Sequence, residues 1–216
     1  NLVSAITTNY GDKDIEELLD VEAKLRKIKH ERVIRERQQG KNVVCEVHDI
    51  APSFPYLQGP REYQKTAFEN WKNNKQKGLF AMATGTGKTI TSLNCLFEIY
   101  QRKGYYKAII LVPTITLVNQ WEQECRKFRF SNIIKVYSKN LTWRDEVERI
   151  LFNEKYKTDK EPEVSYIIIS TYASYAREKV FNVLNGFDKK RLLLIADECH
   201  NMGSGSLVKR LKDIPY

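Results

Sequence analysis

GLFAMATGTGKT, residues 78–89, sets the kind of fold to expect. An apolar segment leads into ATGTGKT and then into a helix-length segment, so Gly85, Gly87, Lys88 and Thr89 stand where a strand end meets a helix N-terminus. Glycines let the backbone curl until several N–H groups face one anion, and the helix dipole adds to the attraction. Thr84, Gly85, Thr86 and Gly87 are the candidate cradle for phosphate. Lys88 reaches the outer phosphates, and the Thr89 hydroxyl ligates Mg²⁺. Met82 stands where the general phosphate-loop pattern has a further glycine.

A second string, LLLIADECH at residues 192–200, reads as an apolar strand ending in two adjacent carboxylates. Asp197 is the candidate Mg²⁺ ligand at the strand's C-terminal end. Glu198 is the candidate general base, placed to orient and deprotonate an attacking water. His200 is read either as part of this catalytic string, as a metal ligand, or as a hydrogen-bonded loop histidine.

Outward from these strings, apolar strands alternate with helical patterns. Strands are expected at Leu79–Met82, Ala108–Val112, Ile133–Tyr137, Val164–Ser170 and Leu192–Asp197, and helices at Glu62–Lys72, Lys88–Arg102, Thr116–Phe128 and Trp143–Tyr156. Continuous runs such as AIILV, YIIIS and LLLIA suit strands buried on both faces, as a parallel sheet requires. The expected fold is α/β, with helices on a mostly parallel sheet.

Residues 1–53 read differently. From Asp14 to Gln38 there is no Gly or Pro, and Leu18, Val21, Leu25 and Ile28 recur at helical spacing; eight basic and two acidic residues lie between Lys24 and Lys41. An amphipathic helix is expected there, followed by a VVCEV strand-like run and the turn-rich APSFPYLQGP linker. The expected division is 1–53, an N-terminal helix and linker forming the tail of an upstream domain, and 54–216, a nucleotide-binding domain.

Thirty-six Lys and Arg against 27 Asp and Glu give a formal charge of +9, which favours a polyanionic partner. Cys45, Cys95, Cys125 and Cys199 lack zinc-site spacing and are expected as free thiols in a reducing compartment. No apolar run approaches the roughly 20 residues of a membrane span. A cytoplasmic protein is expected, or a nuclear one in a eukaryote.

Taken together, ATGTGKT and DECH resemble the first RecA-like domain of superfamily 2 helicases and translocases, over about Phe54 to Tyr216. PREYQ resembles that family's adenine-reading segment, which implies ATP as the nucleotide, with Gln64 bonding the base and Arg61 supporting it. VPTITLVNQW and ISTY resemble nucleic-acid backbone motifs, which implies contacts from Thr114, Ser170 and Thr171. MATGTGKT and DECHN look most like the motor subunits of type I and type III restriction enzymes and related double-stranded DNA translocases. The resemblance implies DNA, double-stranded favoured, as the partner, with RNA as the alternative. It also implies a second RecA-like domain carrying arginine fingers, beyond the end of this chain, so that residues 1–216 alone are expected to bind ATP and hydrolyse it slowly.

Three functions therefore compete: an ATP-driven DNA helicase or translocase, an ATPase that senses nucleic acid without moving, and a non-motor phosphate-loop ATPase. The last has no LSGGQ-like signature to support it and leaves PREYQ and ISTY unexplained. The expected function is the ATP-driven motor.

Overall fold

A computed structural model describes residues 51–83, 85–158 and 161–202. They belong to a compact unit that begins at Asp49. The expected helix at Asp14–Gln38, the linker before Ala51 and Thr84 of the phosphate loop lie outside the described residues.

The elements in order are α1 (Glu62–Asn73), α2 (Lys88–Lys103), β1 (Lys107–Val112), α3 (Ile115–Lys127), β2 (Ile133–Val136), α4 (Trp143–Lys155), β3 (Tyr166–Thr171), α5 (Tyr172–Tyr175), α6 (Glu178–Leu184) and β4 (Leu193–Ala196), with single 3₁₀ turns at Lys189–Arg191 and Cys199–Met202. The four strands form one sheet in the order β2-β3-β1-β4. Every pairing is parallel, with Ile109 opposite Ile168 and Leu194, and Ile134 opposite Ile168.

All six residues of β1 and of β3 are buried, because helices cover both faces. Period-two alternation divides the side chains between two layers. Ile109, Leu111, Tyr166 and Ile168 pack with Val147 and Ile150 of α4 and with Tyr172 and Val180 beyond β3. Ala108, Ile110, Val112, Ile167 and Ile169 pack with Leu93 and Leu96 of α2 and Val118 and Trp121 of α3. Each such aliphatic side chain contributes about 1.5–3 kcal/mol on burial.

The fifth expected strand is not formed. Residues 78–83 adopt neither helix nor strand, and Leu79 is 73% exposed. An apolar run becomes a strand only when a neighbouring backbone takes up its N–H and C=O groups. Here a hollow separates this segment from the edge of β4, and both line it. The short helices α5 and α6 were not expected; the first is started by Thr171, whose hydroxyl accepts from Ser174 N–H.

One charge cluster ties the N-terminal ends of the strands together. Lys107, buried at the start of β1, lies 2.6 Å from Glu154 Oε1 and 2.9 Å from Glu163 Oε2. Glu163 also meets Lys157 and Arg191. Those ion pairs, Lys157 first and then Lys107, hold the Glu163 carboxyl down at about 2, from an ordinary 4.5. A lowered folded-state value means stability that is complete above pH about 4.5 and is lost as pH falls towards 2. Glu163→Gln is therefore expected to cost on the order of 2–3 kcal/mol at neutral pH and to flatten the stability curve between pH 2 and 4.5. Urea unfolding at pH 7 and pH 3 checks this; parallel curves for the two proteins would contradict it.

Candidate functional site

The phosphate loop is built from backbone conformation. Gly85 and Gly87 adopt left-handed φ values of 80° and 87°, which side chains rarely tolerate. At Gly87 space is also short, since a Cβ there would lie 3.3 Å from Gln64 Nε2. Thr86 Oγ1 donates to Ala83 O at 2.7 Å, and Tyr63 Oη donates to Thr86 O at 2.5 Å. The loop is thus closed on itself and braced from α1.

The helix that follows starts on a left-handed glycine and has no side-chain cap. Its N-cap, Gly87, offers no side-chain oxygen, and its first turn has no acidic residue. The start of α3, by contrast, is capped by Thr114, whose hydroxyl accepts from Leu117 N–H. A helix's first amides lack intrahelical acceptors, so an uncapped N-terminus beside Lys88 and Thr89 suits an anion.

Across from the loop, β4 delivers the two carboxylates. Asp197 N–H donates to Leu111 O at 2.9 Å, which continues the ladder one residue past the strand. Asp197 Oδ2 accepts from Trp121 Nε1 at 2.8 Å, and Asp197 O accepts from Tyr172 Oη at 2.6 Å. Burial, then the nearby Cys199, Asp197 and Glu198 charges, push the Tyr172 hydroxyl's pKa up, so it stays a donor. Glu198 has a left-handed φ of 49°, strain of a kind that gathers at functional sites. Its Oε1 lies 3.4 Å from Lys88 Nζ. A hollow of about 310 Å³ is lined by Lys88, Trp121, Asp197, Glu198 and His200.

Most of the sequence-predicted residues therefore converge on one hollow or on the loop beside it, with three differences. Gln64, expected to face an adenine, is 4% exposed; its Oε1 accepts from Arg61 N–H at 2.9 Å and its amide nitrogen faces the phosphate loop. Gln64 thus caps the start of α1, while Arg61 itself is exposed, its guanidinium 3.5 Å from Tyr63 Oη. Ser170 and Thr171, expected at a nucleic-acid backbone, are buried. Ser170 Oγ donates to Val136 O, and Thr171 Oγ1 caps α5. Those hydroxyls position the end of β3, and of the three expected contacts only Thr114 is exposed. His200 is 71% exposed, with Nδ1 3.5 Å from Glu198 Oε2, so it edges the hollow.

Three contributors were not expected: Tyr63, Trp121 and Tyr172. Each lies inside or beside a quoted motif, PREYQ, VPTITLVNQW or ISTY, and that proximity was the only signal.

Comparison with known proteins agrees with this geometry. The type III restriction enzyme res subunit family matches residues 58–215. Helicase SWR1 of Candida glabrata is 28% identical over 163 residues, 72% of this chain and 10% of that protein. Helicase SWR1 of Saccharomyces cerevisiae is 28% identical over 148 residues, 66% of this chain and 9% of that protein. A nuclease-deletion mutant of the Type ISP restriction-modification enzyme LlaGI, solved in complex with a DNA substrate mimic, is 26% identical with a TM-score of 0.50, covering 69% of this chain and 16% of that one. The chain spans about a tenth of the curated relatives it matches. Its fold is the α/β fold of a RecA-like helicase domain.

Proposed function

This chain belongs to the type III restriction enzyme res subunit family, and from that premise we propose that it is the ATP-binding domain of a DNA-dependent helicase or translocase. The observation that carries the proposal is the meeting of Lys88 with Glu198, 3.4 Å apart, at the uncapped start of α2 and beside Asp197.

Each residue then has a task. The loop amides and Lys88 hold the phosphates of ATP. Thr89 and Asp197 are the residues that would hold a Mg²⁺ ion, and such an ion would supply positive charge to offset that developing on the phosphoryl oxygens. Trp121 and Tyr172 fix the orientation of Asp197. Glu198 takes the proton of the attacking water. Thr114, exposed at the start of α3, is a contact for the nucleic-acid backbone.

DNA is the proposed track because the LlaGI relative is described with a DNA substrate mimic. A second RecA-like domain would close the cleft and bring arginines to the transferred phosphoryl group. The test is ATP-dependent displacement of a third strand from a DNA triplex by the whole protein that carries this domain. Displacement should require hydrolysable ATP. ATP turnover that ignores DNA, with no displacement, would leave a nucleotide-binding site and defeat the motor reading.

A further inference from the structure

A second hollow, about 540 Å³, adjoins the first at Trp71, Gly78, Leu193 and Leu194 and extends to the end of β4 away from Asp197. Its floor includes Trp71, Ile99 and Leu193, and its rim is cationic. Lys75 and Lys77 come from the turn after α1, Lys103 from the end of α2, and Lys189 and Lys190 from the 3₁₀ turn before β4. Three separate stretches of chain thus bring positive charge to one opening.

Charge on a rim is often only a solvated surface, and neighbouring groups can account for some of it. Lys72 is paired with Glu69, Arg102 lies over the Phe68 ring, and Lys107 and Arg191 meet Glu163. Lys103 also faces the negative end of the α2 dipole. None of this reaches Lys75, Lys77, Lys189 or Lys190, which have no ion pair among the described residues. Among the described residues, Glu98 is the sole acidic one lining the hollow.

The turn that presents Lys75 and Lys77 is also held in place. Lys75 and Gln76 both adopt left-handed φ, 57° and 61°, an unfavourable conformation for residues with side chains. It is pinned by Gln76 N–H donating to Trp71 O at 2.9 Å and by Asn74 Nδ2 donating to Lys77 O at 2.7 Å. Like charges gathered on a fixed turn repel one another, and an anionic partner removes that repulsion.

We propose that the lysine rim of this hollow, at the end of β4 away from Asp197, is a second contact surface for the sugar–phosphate backbone of duplex DNA. The inference rests on the DNA-motor reading above. Lys190 stands in the turn before β4 and Asp197 just after it, so the rim and the carboxylates lie at opposite ends of that strand. Phosphates held by the rim lysines leave Lys88, Asp197 and Glu198 free, since none of the three lines this hollow.

The test is the salt dependence of duplex binding by the whole protein, with Lys75→Ala, Lys103→Ala and Lys190→Ala combined. All three are exposed, so the fold should survive. Removing one lysine–phosphate pairing should make the slope of log K against log salt shallower by about 0.9, so the triple variant's slope should fall by about 2–3 and its binding weaken at least tenfold at low salt. Its ATP affinity should be unchanged. A control with Lys139→Ala, Lys155→Ala and Lys179→Ala, three exposed cations elsewhere, removes the same net charge and should leave the slope nearly intact. If the wild type binds duplex and the rim variant keeps its slope, or if the control falls as far, the inference is overturned while the motor reading stands. A wild type that does not bind DNA at all overturns both.

Discussion

In the whole protein, Glu198→Gln should lower DNA-stimulated phosphate release by about 10²–10⁴, the range that general-base catalysis contributes, without loss of ATP binding. The side chain sits at the C-terminal end of β4 with Oε1 3.4 Å from Lys88 Nζ, facing the hollow that the phosphate loop borders. Gln keeps the size and shape of Glu and removes only its capacity to accept a proton. The left-handed backbone at this position, φ 49°, strains either residue equally, so a change in turnover reports on chemistry and not on folding. Single-turnover phosphate release beside an equilibrium titration separates the two. Release within a few-fold of the unchanged protein would remove Glu198 from the mechanism.

Lys88→Ala should show the opposite pattern, with the loss falling on binding. A charge-assisted hydrogen bond to phosphate is worth about 1.5–3 kcal/mol, which corresponds to about 10–150-fold in Kd. The loss should be confined to nucleotides that carry the outer phosphates, because the lysine lies at the first position of α2 and points across the cleft to Glu198. ATP affinity should fall while AMP affinity, weak throughout, stays where it was. Equal losses for ATP and AMP would mean that the substitution disturbs the loop as a whole, and unchanged ATP affinity would sink the assignment of the loop.

What could be read in advance follows the range of the interactions involved. Four strands and the four longer helices stand within two residues of their expected bounds, because apolar periodicity is a local property of the chain. Residues 78–83 read as a strand on the same grounds and are not one, since a ladder partner is a property of another part of the chain. Residues 85–89, 197 and 198 could be singled out because loop glycines and paired carboxylates suggest their chemistry locally, and Lys88, Asp197 and Glu198 do line one hollow. The donor that orients Asp197 was not: Trp121 lies 76 residues away in sequence, and a tryptophan on an amphipathic helix looks like any other core residue. Ser170 and Thr171 show the converse. The resemblance of ISTY to a backbone motif implied contacts with a ligand, while in this structure one hydroxyl bonds to β2 and the other caps a helix.

The facing of Lys88 and Glu198 has a thermodynamic consequence. An ammonium that already has a carboxylate within 3.4 Å gives up one anion when it takes another, so phosphate capture is an exchange and not an addition. The measured affinity is then the difference between two ion pairs, and added salt, which screens both, should alter it less than the charges on ATP alone suggest. Glu198 is in this sense the site's own competitive inhibitor. Titrated with ATP, Glu198→Gln should return a Kd at or below that of the unchanged protein, and a clearly weaker one would show that the carboxylate supports the bound nucleotide and does not compete with it.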